Sequence, residues 1–206
     1  MKSEKTCGVS GRPRGFCVDS ALDKALQVFW QKGYDGASLT DLTQAMGINR
    51  PSLYAAYGNK ENLFIKALDR YQEVYGKFVM TALEQPTARE VVQGLLVGGL
   101  ANMSSDCGSR GCLGVQAALS CSDEAKAIKV ELSARRAKTR AIITERFRRA
   151  KDEGDLPSSV DPDSLALYIS TIMQGMSIQA TDGVSREDLE KAVNIVIQTF
   201  DIVVGP

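Results

Sequence analysis

The chain has 206 residues, a formal net charge of zero, five cysteines and no histidine. Its length allows one large or two modest domains with a real core, and the missing imidazole excludes His-based triads, imidazole acid–base catalysis and most catalytic zinc sites. Charge is uneven all the same: through residue 66, nine bases (Lys2, Lys5, Arg12, Arg14, Lys24, Lys32, Arg50, Lys60 and Lys66) face six acids (Glu4, Asp19, Asp23, Asp35, Asp41 and Glu61), leaving +3 there and −3 on the rest.

The opening stretch "MKSEKTCGVSGRPRGFC" has no apolar run, and no window is long and apolar enough for a membrane span. A cytoplasmic protein with no membrane partner is expected, its cysteines free thiols. Residues 1–18 read as a basic arm. In "GRPRGF", Arg12 and Arg14 flank a proline that keeps the backbone extended, suited to a narrow minor groove. A solvated tail is the alternative.

Helices follow. "DSALDKALQVFWQKG" puts Ala21, Leu22, Ala25, Leu26, Phe29 and Trp30 on one stripe, with Asp19 as N-cap and Gly33 as stop. "SLTDLTQAMG" is short, capped by Ser38, with Leu42, Ala45 and Met46 inward and Gly47 closing it. Asn49 caps the next helix, Pro51 suits its first turn and Leu53 is its inward anchor. Asn59 caps a single longer helix through "KENLFIKALDRYQEVYGKFVMTALE". Thr87 and Glu90 then stand in capping-box spacing ahead of a helix whose Gly94, Gly98 and Gly99 imply close helix contact or space for a ligand.

A loop, "SSDCGSRG", leads to the short apolar helix "CLGVQAALS". A long charged helix is predicted from Ser122 to about Lys151, with Asp123 and Glu124 in its first turn and Arg146, Arg148, Arg149 and Lys151 near its last. Pro162 opens "DSLALYISTIMQGMSIQA", apolar on nearly all sides, and Ser185 with Asp188 caps a final helix. The fold class is therefore all-α: a three-helix DNA-binding domain over 19–65 and a helical bundle over 66–206. Helices so apolar at the end of the chain predict a homodimer whose four-helix interface uses 161–181 and 185–204. The alternative is that they form a monomer's core.

Helix, tight turn at Gly47, second helix is the spacing of a helix-turn-helix, in which the second helix presents its first turn to a DNA groove. Arg50 can donate two hydrogen bonds to guanine, Pro51 can meet a thymine methyl, and Ser52 and Tyr54 can reach phosphate, with Asn49 beside them. Lys60, at the start of the next helix, and Ser38, at the start of the bracing one, can each place a donor near a phosphate. Tyr57 lies on a neighbouring face and is either a further DNA contact or a core ring.

The run "GASLTDLTQAMGINRPSLYAAYGNKENLF", preceded by "ALDKALQVFWQKGY", resembles the DNA-binding domain of the TetR family of transcriptional regulators over residues 19–65. Beyond residue 70 the likeness rests on helix number and length, with "GCLGVQAAL" similar to one large subset. The resemblance implies a homodimer, an operator with two-fold symmetry, and a pocket whose small-molecule effector releases the DNA. Family DNA contacts map onto Ser38, Arg50, Pro51, Ser52, Tyr54 and Lys60. Where many members carry a histidine or another large side chain, this chain has Ala55 and Ala56.

For the pocket, Gly98, Met103, Val115, Leu119, Tyr168, Ile172, Met173 and Met176 could line an apolar space, with Gln116 or Gln174 as polar contacts. Each could equally be a core residue. Arg110 beside Cys107 and Cys112 could favour a thiolate, and with Cys121 these thiols are either a redox or electrophile sensor or buried and inert. No cofactor or metal is expected, since there is neither histidine nor a CxxC pair. An enzyme is not expected either, because no nucleophile–base pair, phosphate-binding glycine loop or ligand cluster is present. The expected function is a ligand-responsive transcriptional repressor on a palindromic operator. The alternatives are a thiol-based sensing regulator using Cys107 and Cys112, a helical enzyme on apolar small molecules, or an activator without an inducer.

Overall fold

A computed structural model describes residues 17–103, 111–119, 122 and 125–204. Arg12, Arg14, Cys107 and Cys121, and the side chain of Leu119, lie outside the described residues. The expected all-α class holds: every element among the described residues is a helix. They run α1 (Val18–Gly36), α2 (Leu39–Met46), α3 (Arg50–Tyr57), α4 (Lys60–Tyr75), α5 (Lys77–Leu83), α6 (Ala88–Met103), α7 (Leu113–Leu119), α8 (Lys126–Asp152), α9 (Pro162–Thr181) and α10 (Arg186–Val204).

Local capping chemistry fixes most helix starts. Ser38 and Asp41 close a capping box on α2. Asn49 Oδ1 accepts from Ser52 N at 2.8 Å, Asn59 Oδ1 from Asn62 N at 2.7 Å, and Ser185 Oγ from Asp188 N at 3.1 Å. Thr87 and Glu90 bond reciprocally ahead of α6. Each satisfies an N–H that the helix itself leaves open.

Three boundaries differ from the sequence expectation. The long helix after Asn59 breaks at Gly76, where a Cβ would stand 2.6 Å from the Gln72 carbonyl oxygen, so α5 is a separate helix. The charged helix is described from Lys126 rather than Ser122, and Asp123 and Glu124, expected in its first turn, lie outside the described residues. Ser122 N donates to Asp35 Oδ2, near the end of α1, at 2.5 Å. Cys17, not Asp19, is the N-cap of α1, and Asp19 falls in its first turn.

Two apolar cores result. One joins α6, the second half of α8, α9 and α10 through Val91, Leu95, Phe147, Ile169, Val193 and Phe200. The other packs the head, α1 to α4, around Phe29, Trp30, Leu42, Leu53 and Phe64, and it continues into Leu113 of α7 and Ile128 and Leu132 of α8. The head therefore shares its core with the body instead of hanging on a linker. Trp30 sits at this seam, edge-on to Tyr71 and Tyr75 at 5.0 and 4.8 Å, and its Nε1 donates to the Gly111 carbonyl at 3.3 Å. Outward from α9 and α10, Leu167, Tyr168, Ile195, Ile202 and Val203 remain exposed.

Candidate nucleic-acid interface and cavity

The helix-turn-helix is built from local rules. Gly47 adopts φ 69, ψ 32, a left-handed turn favouring glycine, and its N–H returns to the α2 carbonyls. Leu42 and Met46 of α2 and Leu53 of α3 are buried, so the outer side of α3 is left to Arg50, Pro51, Tyr54 and Ala55, all exposed. The Arg50 guanidinium leans across to α2, its Nη2 donating to Thr40 Oγ1 at 3.1 Å. That contact joins the starts of α2 and α3 in one exposed surface, and Thr40 is a member that sequence reasoning missed. Only an i to i+10 contact between helices reveals it.

The start of α4 reaches the same neighbourhood. Lys60 Nζ lies 4.5 Å from the centre of the Tyr34 ring. Partial burial lowers its pKa and nearby Asp35 acts the other way. Lys32 Nζ bonds Asp41 Oδ1 at 2.6 Å, bracing α1 on α2. With Lys32 first and Ser38 next as causes, the Asp41 carboxyl is held well below the usual carboxylate range. Three helix N-termini with free N–H groups and positive dipole ends, plus Arg50 and Lys60, suit a phosphate backbone with a groove between.

Tyr57 does not belong to that surface. Its ring is 4% exposed and its hydroxyl donates to the Val18 carbonyl at 2.9 Å, so it is a core residue tying α3 to α1. Tyr54, three residues earlier, is 46% exposed. Three residues apart, the two rings are neighbours on α3, and the edge of the buried side runs between them. Ser52 is half-buried, and its N–H is occupied by the Asn49 cap.

Behind the head lies a cavity of about 330 Å³. The last two turns of α4 (Leu68, Tyr71, Gln72, Tyr75), the Gly76 break, α5, α6, α7, α8 and α9 all contribute to its wall. Met103, Val115, Met173 and Gln174 line it. Five expected lining residues are placed elsewhere. Gly98 packs against Phe78, whose ring stands 2.7 Å from where a Cβ would be, so this glycine serves close α5–α6 contact. Gln116 Nε2 donates to Thr181 Oγ1 at 2.6 Å, and Met176 is buried in the body core with Ile172 packed on it. Tyr168 is an exposed residue of α9. Helical spacing predicts which residues face inward, and here the inward side is shared between cavity and core.

Residues that sequence reasoning missed include Tyr71, Tyr75, Asn102 and the arginines of α8. Asn102 Nδ2 donates to the Tyr75 carbonyl at 2.7 Å, tying α6 to the last residue of α4. Burial pushes the Tyr71 phenol well above its ordinary pKa, and the hydrogen-bonded Cys112 thiol adds to the shift. No group of three or more His, Cys, Asp or Glu able to hold a metal occurs among the described residues, and no helix there is long and apolar enough to cross a membrane.

Comparison with known proteins adds the following. The family described as bacterial regulatory proteins, tetR family, matches residues 21–67, and the tetracyclin repressor-like C-terminal domain matches residues 92–196. The chain is 32% identical over 192 residues to the HTH-type transcriptional repressor ComR of Escherichia coli, covering 92% of this chain and 91% of that one. It is 30% identical over 191 residues to the HTH-type transcriptional repressor BdcR of the same organism, covering 92% and 91%. Among solved structures, a cysteine-substituted form of the TetR family transcriptional regulator CifR, complexed with 26-base-pair double-strand operator DNA, is 44% identical, with a TM-score of 0.88 over 92% of this chain and 100% of that one.

Proposed function

The chain belongs to the TetR family of bacterial transcriptional regulators, and from that membership we propose that it is a homodimeric repressor released from a palindromic operator by a small molecule in the cavity behind the head. The observation that carries this reading is the exposed first turn of α3, Arg50 to Tyr54, braced on α2 and flanked by the capped starts of α2 and α4. Arg50 reads a base edge, Pro51 offers an apolar contact, and Ser38, Thr40, Ser52, Tyr54 and Lys60 meet phosphate. Arg12 and Arg14 of the arm reach an adjacent minor groove. The exposed apolar side chains of α9 and α10 supply the dimer face, supported by their exposure and by the TetR-family membership of the chain.

Coupling follows from the cavity wall. Its lining includes the last turn of α4, which carries the head, and residues of α9, which belongs to the dimer face. A molecule that fits one head spacing better than the other shifts the population away from the half-site match.

The test is operator binding by two variants over a range of salt. Arg50→Ala should lose about 1–3 kcal/mol and relax preference at one base position. Lys60→Ala should weaken all sequences alike and flatten the salt dependence by about one charge. Base preferences that survive Arg50→Ala would overturn the assignment of α3 as the reading helix.

A second reading is favoured by one contact. The Cys112 side chain lines the cavity in hydrogen-bonding contact with the buried Tyr71 hydroxyl, so a thiol modification there would be felt by α4. With peroxide as oxidant, wild type should leave the operator and Cys112→Ser should stay bound. Equal release by both would remove Cys112 from the sensing role.

A further inference from the structure

Building on the reading that this cavity receives the effector, we propose that the effector is an apolar molecule bearing one anionic group, such as a carboxylate or sulfonate, and that Arg136 and Arg140 hold that group. The wall is mostly apolar and aromatic, with Leu68, Tyr71, Tyr75, Phe78 and Met173, and its volume lies at the small end of drug-sized sites. Three guanidiniums also line it, from Arg135, Arg136 and Arg140, and no lining residue is a carboxylate.

The three differ in what neutralises them. Arg135 is bonded to Asp69 and Glu131, each at 2.7 Å. Arg136 spends one N–H on the neutral Gly114 carbonyl at 2.7 Å and makes no ion pair among the described residues. Arg140 makes no hydrogen bond or ion pair among the described residues. Elsewhere on α8, Arg148 pairs with Glu145 and Asp163 and Arg149 with Glu153, whereas Arg140 is exposed at the cavity rim with no carboxylate beside it. Three arginines of α8 are left without a carboxylate: Arg146, whose N–H groups go to the Leu83, Gln85 and Pro86 carbonyls, and the two cavity residues Arg136 and Arg140.

Their spacing makes them a pair. Positions 136 and 140 are one helical turn apart on the same face, where like charges repel. A carboxylate or sulfonate between them relieves that repulsion and accepts the planar N–H pairs that a guanidinium presents. The apolar remainder of the molecule then lies toward Tyr71, Phe78 and Met173, against the last turn of α4. Gln72 and Gln174 on the same wall supply further amide donors.

The test uses the full chain and two fluorescent probes of one shape, anilinonaphthalene sulfonate and the uncharged phenylnaphthylamine. Wild type should bind the sulfonate about tenfold tighter or better, as two charge-assisted contacts imply. Arg136→Gln combined with Arg140→Gln should remove that advantage and leave the uncharged probe unchanged. If losing the Gly114 contact unfolds the double variant, Arg140→Gln alone decides, with a loss of roughly threefold or more for the sulfonate only. Gly99→Leu, which extends a side chain toward Met103, Phe78 and Met173, should abolish both. Equal binding of the two probes, or sulfonate binding indifferent to the arginine variants, overturns the anionic class and leaves the repressor reading standing. Probe binding that survives Gly99→Leu overturns the proposal and the cavity reading together, while operator binding by Arg50→Ala is judged separately.

Discussion

Gly111→Val should cost on the order of 4 kcal/mol and loosen the head from the body, because a side chain there has neither a backbone conformation nor space to adopt. Gly111 sits at φ 79, where a β-branched residue is strained. Its Cβ would meet Gln116 Nε2 and Thr181 Oγ1 in hard contact and come within 2.7 Å of the Ser177 carbonyl oxygen. The same residue is a knot of long-range bonds. Its N–H donates to the Met103 carbonyl at 3.1 Å, and its carbonyl accepts from Trp30 Nε1. The next N–H, of Cys112, donates to the buried Ser177 Oγ at 2.7 Å. One short backbone segment therefore ties α1, α6 and α9 together.

The chain has one tryptophan, and it is this one, so the readout is built in. Emission of Trp30 should shift to the red in Gly111→Val under conditions where far-ultraviolet circular dichroism stays helical. Urea unfolding at matched protein concentration supplies the stability change. Coincident unfolding curves and an unmoved emission maximum would show that the junction does not hold the head.

Arg146→Ala should be the other large loss, about 3 kcal/mol, or roughly 6–12 °C in Tm for a chain of this size. Arg146 is 5% exposed, deep on α8. Its Nε donates to the Leu83 carbonyl at 3.1 Å, and its Nη2 donates to the Gln85 and Pro86 carbonyls at 2.7 and 3.0 Å. The Leu83 carbonyl ends α5 and those of Gln85 and Pro86 follow in the turn to α6, so α8 caps α5 and pins that turn from outside the helix. Burial, with Arg149 nearby, lowers the Arg146 pKa, and Nη1 has no hydrogen-bond partner among the described residues. An arginine held at that cost matters for the carbonyls it satisfies.

Arg146→Lys should recover part of the loss, since one ammonium keeps donors but not the fork. Arg148→Ala, whose ion pair with Asp163 is exposed, should stay within about 0.5 kcal/mol of wild type. An Arg146→Met variant as stable as wild type by thermal unfolding would contradict the capping role.

Sequence alone determined what depends on near neighbours. Ser38, Asn49, Asn59, Thr87 and Ser185 all cap the helices expected of them, because a cap bond spans three residues and needs no distant partner. The same locality made the Gly47 turn, the buried stripe of α1 and the exposed Arg50 turn readable, and with them the family. Tertiary contacts decided the rest. Periodicity marked Met103, Val115, Ile172, Met173 and Met176 as inward, but whether an inward residue meets a cavity or another helix depends on elements far along the chain. The pairing of Trp30 with Gly111, of Arg146 with the end of α5 and of Arg50 with Thr40 left no mark in the local pattern. Each is a directional bond between helices, and packing geometry rather than residue spacing selects its partner.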